Sequence, residues 1–158
     1  MKNKFLLILL NMMFTSSIFA ALPKFKHYPV ESYTGPSATL NIQHDVYPDR
    51  EWLQRALQEP VNFAGEYVMA QRGCGTSCSI YTFVNKRTGK VITPYIGPEL
   101  NEHIEEIHAN STLLVTKIEL LHAHPKLTSY WRYYYVLKQQ KLKKIAQQEI
   151  TKYEFYAE

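Results

Sequence analysis

The segment Glu66-Tyr67-Val68-Met69-Ala70-Gln71-Arg72-Gly73-Cys74-Gly75-Thr76-Ser77-Cys78-Ser79-Ile80-Tyr81-Thr82-Phe83-Val84 decides the fold. Two runs rich in Tyr, Val, Ile and Phe, Glu66–Arg72 and Ser79–Val84, flank a glycine-cysteine turn, the pattern of a β-hairpin. The period of two persists downstream. Asn85-Lys86-Arg87-Thr88-Gly89 reads as a second tight turn, with Gly89 available for a positive φ, and Val91–Tyr95 as a third strand. Pro94, Gly97 and Pro98 open a connection. Glu102–Ala109 and Thr112–Leu121 then pair across Asn110-Ser111, and Tyr130–Leu137 and Leu142–Ile150 pair across Lys138–Lys141. Hairpins that follow one another in this way build an antiparallel meander rather than βαβ units.

Upstream of the first hairpin the period changes. Residues 21–47 carry Pro23, Pro29, Gly35 and Pro36 and read as an extended arm, with one short strand near Ala38–Ile42. Trp52, Leu53, Ala56 and Leu57 recur at helical spacing, while Arg50, Glu51, Gln54, Arg55 and Gln58 fill the opposite face. The spacing predicts a helix over Asp49–Gln58, with Asp49 as N-cap and Pro60 beyond its end. The expected fold class is therefore mainly β (α+β), an antiparallel meander or small β-sandwich with one N-terminal amphipathic helix. Residues 21–158 form one β-rich domain in this reading.

The first twenty residues have a different purpose. Lys2 and Lys4 precede an apolar run from Phe5 to Phe14, broken at Asn11, and Thr15–Ala20 leads to a cleavage position after Ala20. A positive start, about ten apolar residues and a small residue at the exit describe a secretory signal peptide, and the run is short for a spanning helix. The expected location is the periplasm or the medium, with no stable membrane anchor once the signal is removed. Loss of two lysines leaves 16 basic against 14 acidic residues, a net +2. That excess is too small and too scattered for a nucleic-acid interface. Its densest cluster, Lys138, Lys141, Lys143 and Lys144 around Gln139-Gln140, reads as a solvated turn. With 46% hydrophobic and 20% charged residues, the chain is neither disordered nor fibrous.

Cys74 and Cys78 are the chain's two cysteines. In an exported protein, a pair joined by a three-residue turn reads as a disulfide that shapes the turn. Sharper readings compete with it. Thiol-redox motifs are C-x-x-C at a helix N-terminus, whereas this spacing is C-x-x-x-C between strands. A cysteine nucleophile of the papain type has Q-G-x-C-G-S-C-W, and Gln71–Cys78 departs from it by an inserted residue and a following strand. A metal site would draw on His103, His108, His122 or His124, with His122 and His124 on one side of a strand, but further ligands are not evident. A nest of amides in the glycine turn, flanked by Arg72 and Arg87, would hold an anion. The structural turn is the simplest account, with no cofactor and no metal.

In Tyr130–Leu137, Tyr130, Arg132, Tyr134 and Val136 share one face, and Trp131, Tyr133, Tyr135 and Leu137 share the other. Both faces are apolar. The strand is interior, with cover on both sides or with one face left for contact, a role to which tyrosine is suited.

Asn62-Phe63-Ala64-Gly65-Glu66-Tyr67, Gly73-Cys74-Gly75-Thr76-Ser77-Cys78 and Thr88-Gly89-Lys90-Val91, with Tyr28-Pro29-Val30 and Tyr33-Thr34-Gly35-Pro36 upstream, resemble a functionally uncharacterised family of small exported bacterial proteins. That family carries an N-F-A-G-x-Y segment, a W-G-C-G-x-x-C turn and a T-G-K-V hairpin. The resemblance spans most of the mature chain and implies export and shared architecture, without an activity. Two positions depart from it. Gln71-Arg72 stands where an aromatic precedes the turn, and Thr93–Gly97 replaces a second cysteine pair, which leaves Cys74 and Cys78 each other as partners.

The function expected from these features is a non-enzymatic periplasmic or secreted interaction module, of inhibitor or immunity type, with a protein partner. Its binding surface draws on Arg72, Thr76, Ser77, Tyr133 and Tyr135. The alternative is a thiol-redox or metal-dependent enzyme built on the Gly73–Cys78 turn and nearby histidines.

Overall fold

The computed structural model describes residues 21–42, 50–75, 78–94, 96, 102–122 and 127–157. The expected signal segment (residues 1–20), Asp49, Thr76, Ser77, Tyr95 and His124 lie outside the described residues. The described chain runs from a 3₁₀ turn (Phe25–His27) through α1 (Glu51–Ala56) to β1 (Tyr67–Gly75), β2 (Cys78–Asn85) and β3 (Val91–Ile92). It continues through β4 (Glu102–Ile107), β5 (Leu113–Leu121), β6 (Thr128–Lys138) and β7 (Lys141–Ile150) to α2 (Lys152–Tyr156). The strands form two antiparallel meanders, β1-β2-β3 and β4-β5-β6-β7, so the protein is mainly β.

The layers follow from alternation along each strand. Val68, Ala70 and Val84 face α1, where they bury Trp52, Leu53, Ala56 and Leu57. Tyr67, Tyr81 and Phe83 face the other way and share a cluster with Leu114, Ile104, Tyr135 and Leu142 of the second sheet. The far face of that sheet presents Leu113, Val115 and Tyr134, which Phe25 and Tyr28 of the N-terminal arm cover. Helix, three-stranded sheet, four-stranded sheet and arm are thus stacked in that order. The three-stranded sheet is covered on both faces at its base.

The Asn62–Gly65 segment joins these layers. Ala64 (φ 47) and Gly65 (φ 79) make a left-handed turn. The amides of Ala64 and Gly65 donate to Ser111 O at 3.1 Å and Ala109 O at 2.7 Å, and Tyr33 N–H donates to Gly65 O at 2.6 Å. A Cβ on Gly65 would lie 2.5 Å from Glu31 O, so arm, turn and second sheet approach only around a glycine.

Three expectations about elements need adjustment, and the expected hairpin across Lys138–Lys141 is present. The Ala38–Ile42 segment is not a strand; it lies against the Asn85–Gly89 turn, with Ala38 N–H donating to Lys86 O and Asn41 N–H to Gly89 O, both at 2.9 Å. Helix α1 is capped at Arg50, without a side-chain cap. It ends at Ala56 because Gln58 and Glu59 donate three residues back, to Arg55 O and Ala56 O, before Pro60. Strand β3 stops at Ile92, since Pro94 has no amide to extend the ladder. The β6–β7 hairpin closes through Gln139 (φ 51) and Gln140 (φ 62), a two-residue turn with both central residues left-handed.

Candidate interaction site

Strand β1 changes character half-way along. Tyr67, Val68 and Ala70 are buried and Met69 half-buried, whereas Gln71 through Gly75 are all exposed. Among the described residues β3 pairs with Phe83 and Val84 of β2 alone, so there the outer part of the β1–β2 hairpin, Gln71↔Tyr81 to Gly75↔Cys78, is a two-stranded ribbon. A two-stranded hairpin is marginal in water by itself. Gln71 Nε2 donates to Ser79 Oγ at 2.9 Å, and the Arg72 guanidinium lies over the Trp52 ring at 5.4 Å, anchoring the ribbon to α1. A bulge between Gly73 and Gly75 turns the strand into the tip, where Gly75 has φ 138 and open space around it. Cys74 is not a free thiol. Cys78 is placed by its backbone opposite Gly75.

The two tyrosines of the expected surface lie elsewhere. Tyr133 and Tyr135 are side by side on the inner face of β6, their rings 6.4 Å apart. Tyr135 packs between the sheets and its hydroxyl donates to Glu102 Oε1 at 2.8 Å, not to water. Tyr133 is covered by the Lys144 ammonium at 3.9 Å from the ring centre. The structure therefore joins Tyr133 to Tyr135 and leaves Arg72 in the other sheet, against Trp52.

Of the histidines of the expected metal site, the described ones, His103, His108 and His122, are dispersed over the second sheet and its loops. His103 meets the edge of Phe155 at 6.5 Å. His108 stacks on Phe25 at 3.9 Å and pairs with Glu106 at 2.8 Å. His122 Nε2 lies 2.9 Å from Ser129 Oγ. Among the described residues, no group of three or more His, Cys, Asp or Glu is arranged to hold a metal ion.

Sequence reasoning missed two polar constellations on the second sheet. The first is Glu102, 3% exposed, whose Oε1 also accepts from Thr116 Oγ1 at 2.5 Å. The alternation Glu102-His103-Ile104 puts Glu102 on the same face as a core isoleucine, which is the signal available for it. The second lies on the outer face. Alternation puts Glu105 on the face of His103 and Arg132, and Arg132 grips it with Nε (2.6 Å) and Nη2 (2.7 Å) beside a bulge between Ile104 and Glu106. Lys117 reaches Glu105 at 3.4 Å and donates to Ala157 O at 2.9 Å. Glu105 holds the Arg132 guanidinium above its ordinary value. A cavity of about 450 Å³ is lined by His103, Glu105, Lys117, Arg132, Glu154 and Ala157. Its cations are already engaged by Glu105 and by the end of α2, so the arrangement seats the C-terminal helix.

The exposed tip remains the feature that internal packing does not account for. Among the described residues, no helix is long and apolar enough to cross a membrane. No protein-family model, curated protein or solved structure matches the chain.

Proposed function

We propose that the chain is an exported, non-enzymatic interaction module, of inhibitor or immunity type, that meets a protein partner with the tip of its β1–β2 hairpin. One observation carries this reading: a strand with a buried first half continues as five consecutive exposed residues, Gln71–Gly75. A strand whose residues stay exposed outside its own core has surface to offer another protein. The proposal includes a Cys74–Cys78 bridge, supported by a chain with two cysteines and by the backbone pairing of Cys78 beside Cys74. A loop of about five residues closed by a disulfide stabilises by roughly 2 kcal/mol in the chain-entropy account, enough to hold a ribbon in shape. Rigidity before binding removes ordering cost from the complex. Thr76 and Ser77 fall between the cysteines and complete the tip in sequence.

The signal-like N-terminus supports export, and a net +2 favours neither nucleic acid nor an anionic membrane surface. Retention of partners on the immobilised mature protein, from periplasmic and culture-supernatant fractions, tests the reading. The expected result is a partner held at micromolar protein and released by Arg72→Glu, with the variant's thermal unfolding close to the parent's. No retained partner, or retention indifferent to the tip, overturns it.

A further inference from the structure

Among the described residues, three that are not glycine take a left-handed backbone: Ala64 (φ 47), Gln139 (φ 51) and Gln140 (φ 62). All three line one groove of about 340 Å³, where the Asn85–Gly89 turn, the start of β5 and the β6–β7 turn come together. A two-residue hairpin of this kind ordinarily carries Asn-Gly or Gly-Gly, because a Cβ makes the conformation costly. Here glutamine stands at both positions. Backbone strain of this sort clusters at ligand clamps.

The walls divide into groups already bonded and groups left over. Asn85 is buried and its Oδ1 accepts from the Arg87 and Thr88 amides at 3.0 and 2.9 Å, while its Nδ2 donates to Glu66 Oε1 at 2.9 Å. Arg87 holds the other Glu66 oxygen at 2.9 Å. That wall is fixed in advance, which lowers the ordering cost of binding. The side chains of Gln139, Gln140, Lys90 and Thr112 make no hydrogen bond or ion pair among the described residues, and all four residues line the groove. Lys138 and Lys141 flank the two glutamines and face each other across the ladder, also without an ion pair among the described residues. Like charges so placed repel, and a bound anion relieves that repulsion. Glu66, the one carboxylate among the described lining residues, is already shared between Asn85 and Arg87.

We infer that this groove binds an acidic saccharide, a sugar ring whose hydroxyls meet the Gln139 and Gln140 amides and whose carboxylate meets Lys90. A side-chain amide sets a donor beside an acceptor, the match for neighbouring ring hydroxyls that each donate and accept. Thr112 adds a hydroxyl of its own. Eight of the ten lining residues carry polar side chains, and the volume lies at the small end of ligand sites. The Tyr67 ring is buried, so the described lining offers no aromatic face to a nucleobase. An extended peptide would seek an open strand edge, whereas both turns at this groove close their own ladders. The hairpin tip lies at the other end of β2, at Cys78 rather than Asn85, so the site is independent of the interaction reading.

Amide chemical shifts of the isotope-labelled mature protein test it, with sodium glucuronate as probe and glucose and sodium acetate as controls. Glucuronate titrated to about 10 mM should move the backbone amides of Thr88, Lys90 and Gln140 and the side-chain amides of both glutamines, and the shifts should saturate. Glucose and acetate should each bind about tenfold more weakly, since each supplies part of the contacts. Lys90→Gln should bring glucuronate down to the level of glucose and leave glucose unchanged. Gln139→Asn combined with Gln140→Gly gives the turn its ordinary residues. That variant should melt about 4 °C higher than the parent and lose the glucuronate shifts, so that lost binding is not lost fold. No saturable shift at these residues, acetate binding as tightly as glucuronate, or glucuronate binding that survives the turn replacement overturns the inference.

Discussion

The Tyr135 hydroxyl donates to Glu102 Oε1 at 2.8 Å on the face where the two sheets meet, and Thr116 donates to the same oxygen. A carboxylate 3% exposed is tolerated there because two hydroxyls replace its water. Glu102→Ala removes the acceptor that both hydroxyls share and leaves them only each other, a loss of about 1–3 kcal/mol for the acceptor. Urea unfolding should show a loss of about 1–3 kcal/mol. Combining Glu102→Ala with Tyr135→Phe and Thr116→Val should recover part of it. A triple variant no more stable than the single one would show that the hydroxyls are not what makes Glu102 costly to remove.

The same packing gives the protein an alkaline limit. Burial raises the phenol of Tyr135 above its ordinary value of 10.0, with Glu102 adding to the effect, and burial raises Tyr67, Tyr81 and Tyr134 in the same direction. Above about pH 10 the unfolded chain loses phenolic protons that the folded chain keeps. The folded state then binds more protons, so stability falls as pH rises. The contribution is complete below pH 10 and is lost upward through the folded values. Melting temperatures should be flat with respect to these groups at neutral pH and fall beyond pH 10, less steeply in Tyr135→Phe. Equal slopes for parent and variant would remove Tyr135 from the account.

The hairpins were legible because each pairs apolar alternation with a turn of fixed chemistry. Gly89, with φ 70, takes the left-handed position that the Asn85–Gly89 turn assigns to it. The Ala38–Ile42 error has a physical cause: Leu40 and Ile42 alternate because they rest on the α1 cluster, and their neighbours bond to a turn instead of a strand. Sheet-to-sheet relations are not a local property, so the sequence could assign Tyr133 and Tyr135 to one face without showing that the face meets Glu102. That Glu105 of β4 and Arg132 of β6 meet across Lys117 is equally non-local. Exposure of the Gly73–Gly75 tip was half visible, in glycines where a core strand would carry side chains.

Gly89 supplies the next test. A Cβ there would sit 1.9 Å from Thr39 O and 3.0 Å from Asn41 N, where the arm crosses the turn. Gly89→Ala therefore combines a left-handed non-glycine residue, about 1–2 kcal/mol, with a clash that must break the Asn41–Gly89 hydrogen bond. A loss of roughly 3 kcal/mol is expected in urea unfolding. Gly75→Ala isolates the conformational part, since φ is 138 but nothing lies within 4 Å of the new carbon. It should cost less than Gly89→Ala. Equal losses would mean that the arm yields and that its contact with the turn is soft.

The proposed Cys74–Cys78 bridge predicts where its removal is felt. Gln71–Gly75 contribute nothing to either core cluster of the three-stranded sheet, so the ribbon can open while Val68 and Val84 stay buried against α1. Replacing both cysteines by alanine should forfeit about 2 kcal/mol of ribbon stability, equivalent to roughly thirtyfold faster exchange of the Arg72 and Ile80 amides. Those two residues face each other across the ladder. Exchange at Val68 and Val84 should hardly change, because it requires opening of the core. Affinity for a captured partner should fall as the loosened ribbon must be ordered again on binding. Acceleration of equal size at Val68 would mean that the bridge supports the whole fold, and unchanged exchange at Arg72 would mean that the ribbon keeps its shape without it; either result separates the tip's geometry from its cysteines.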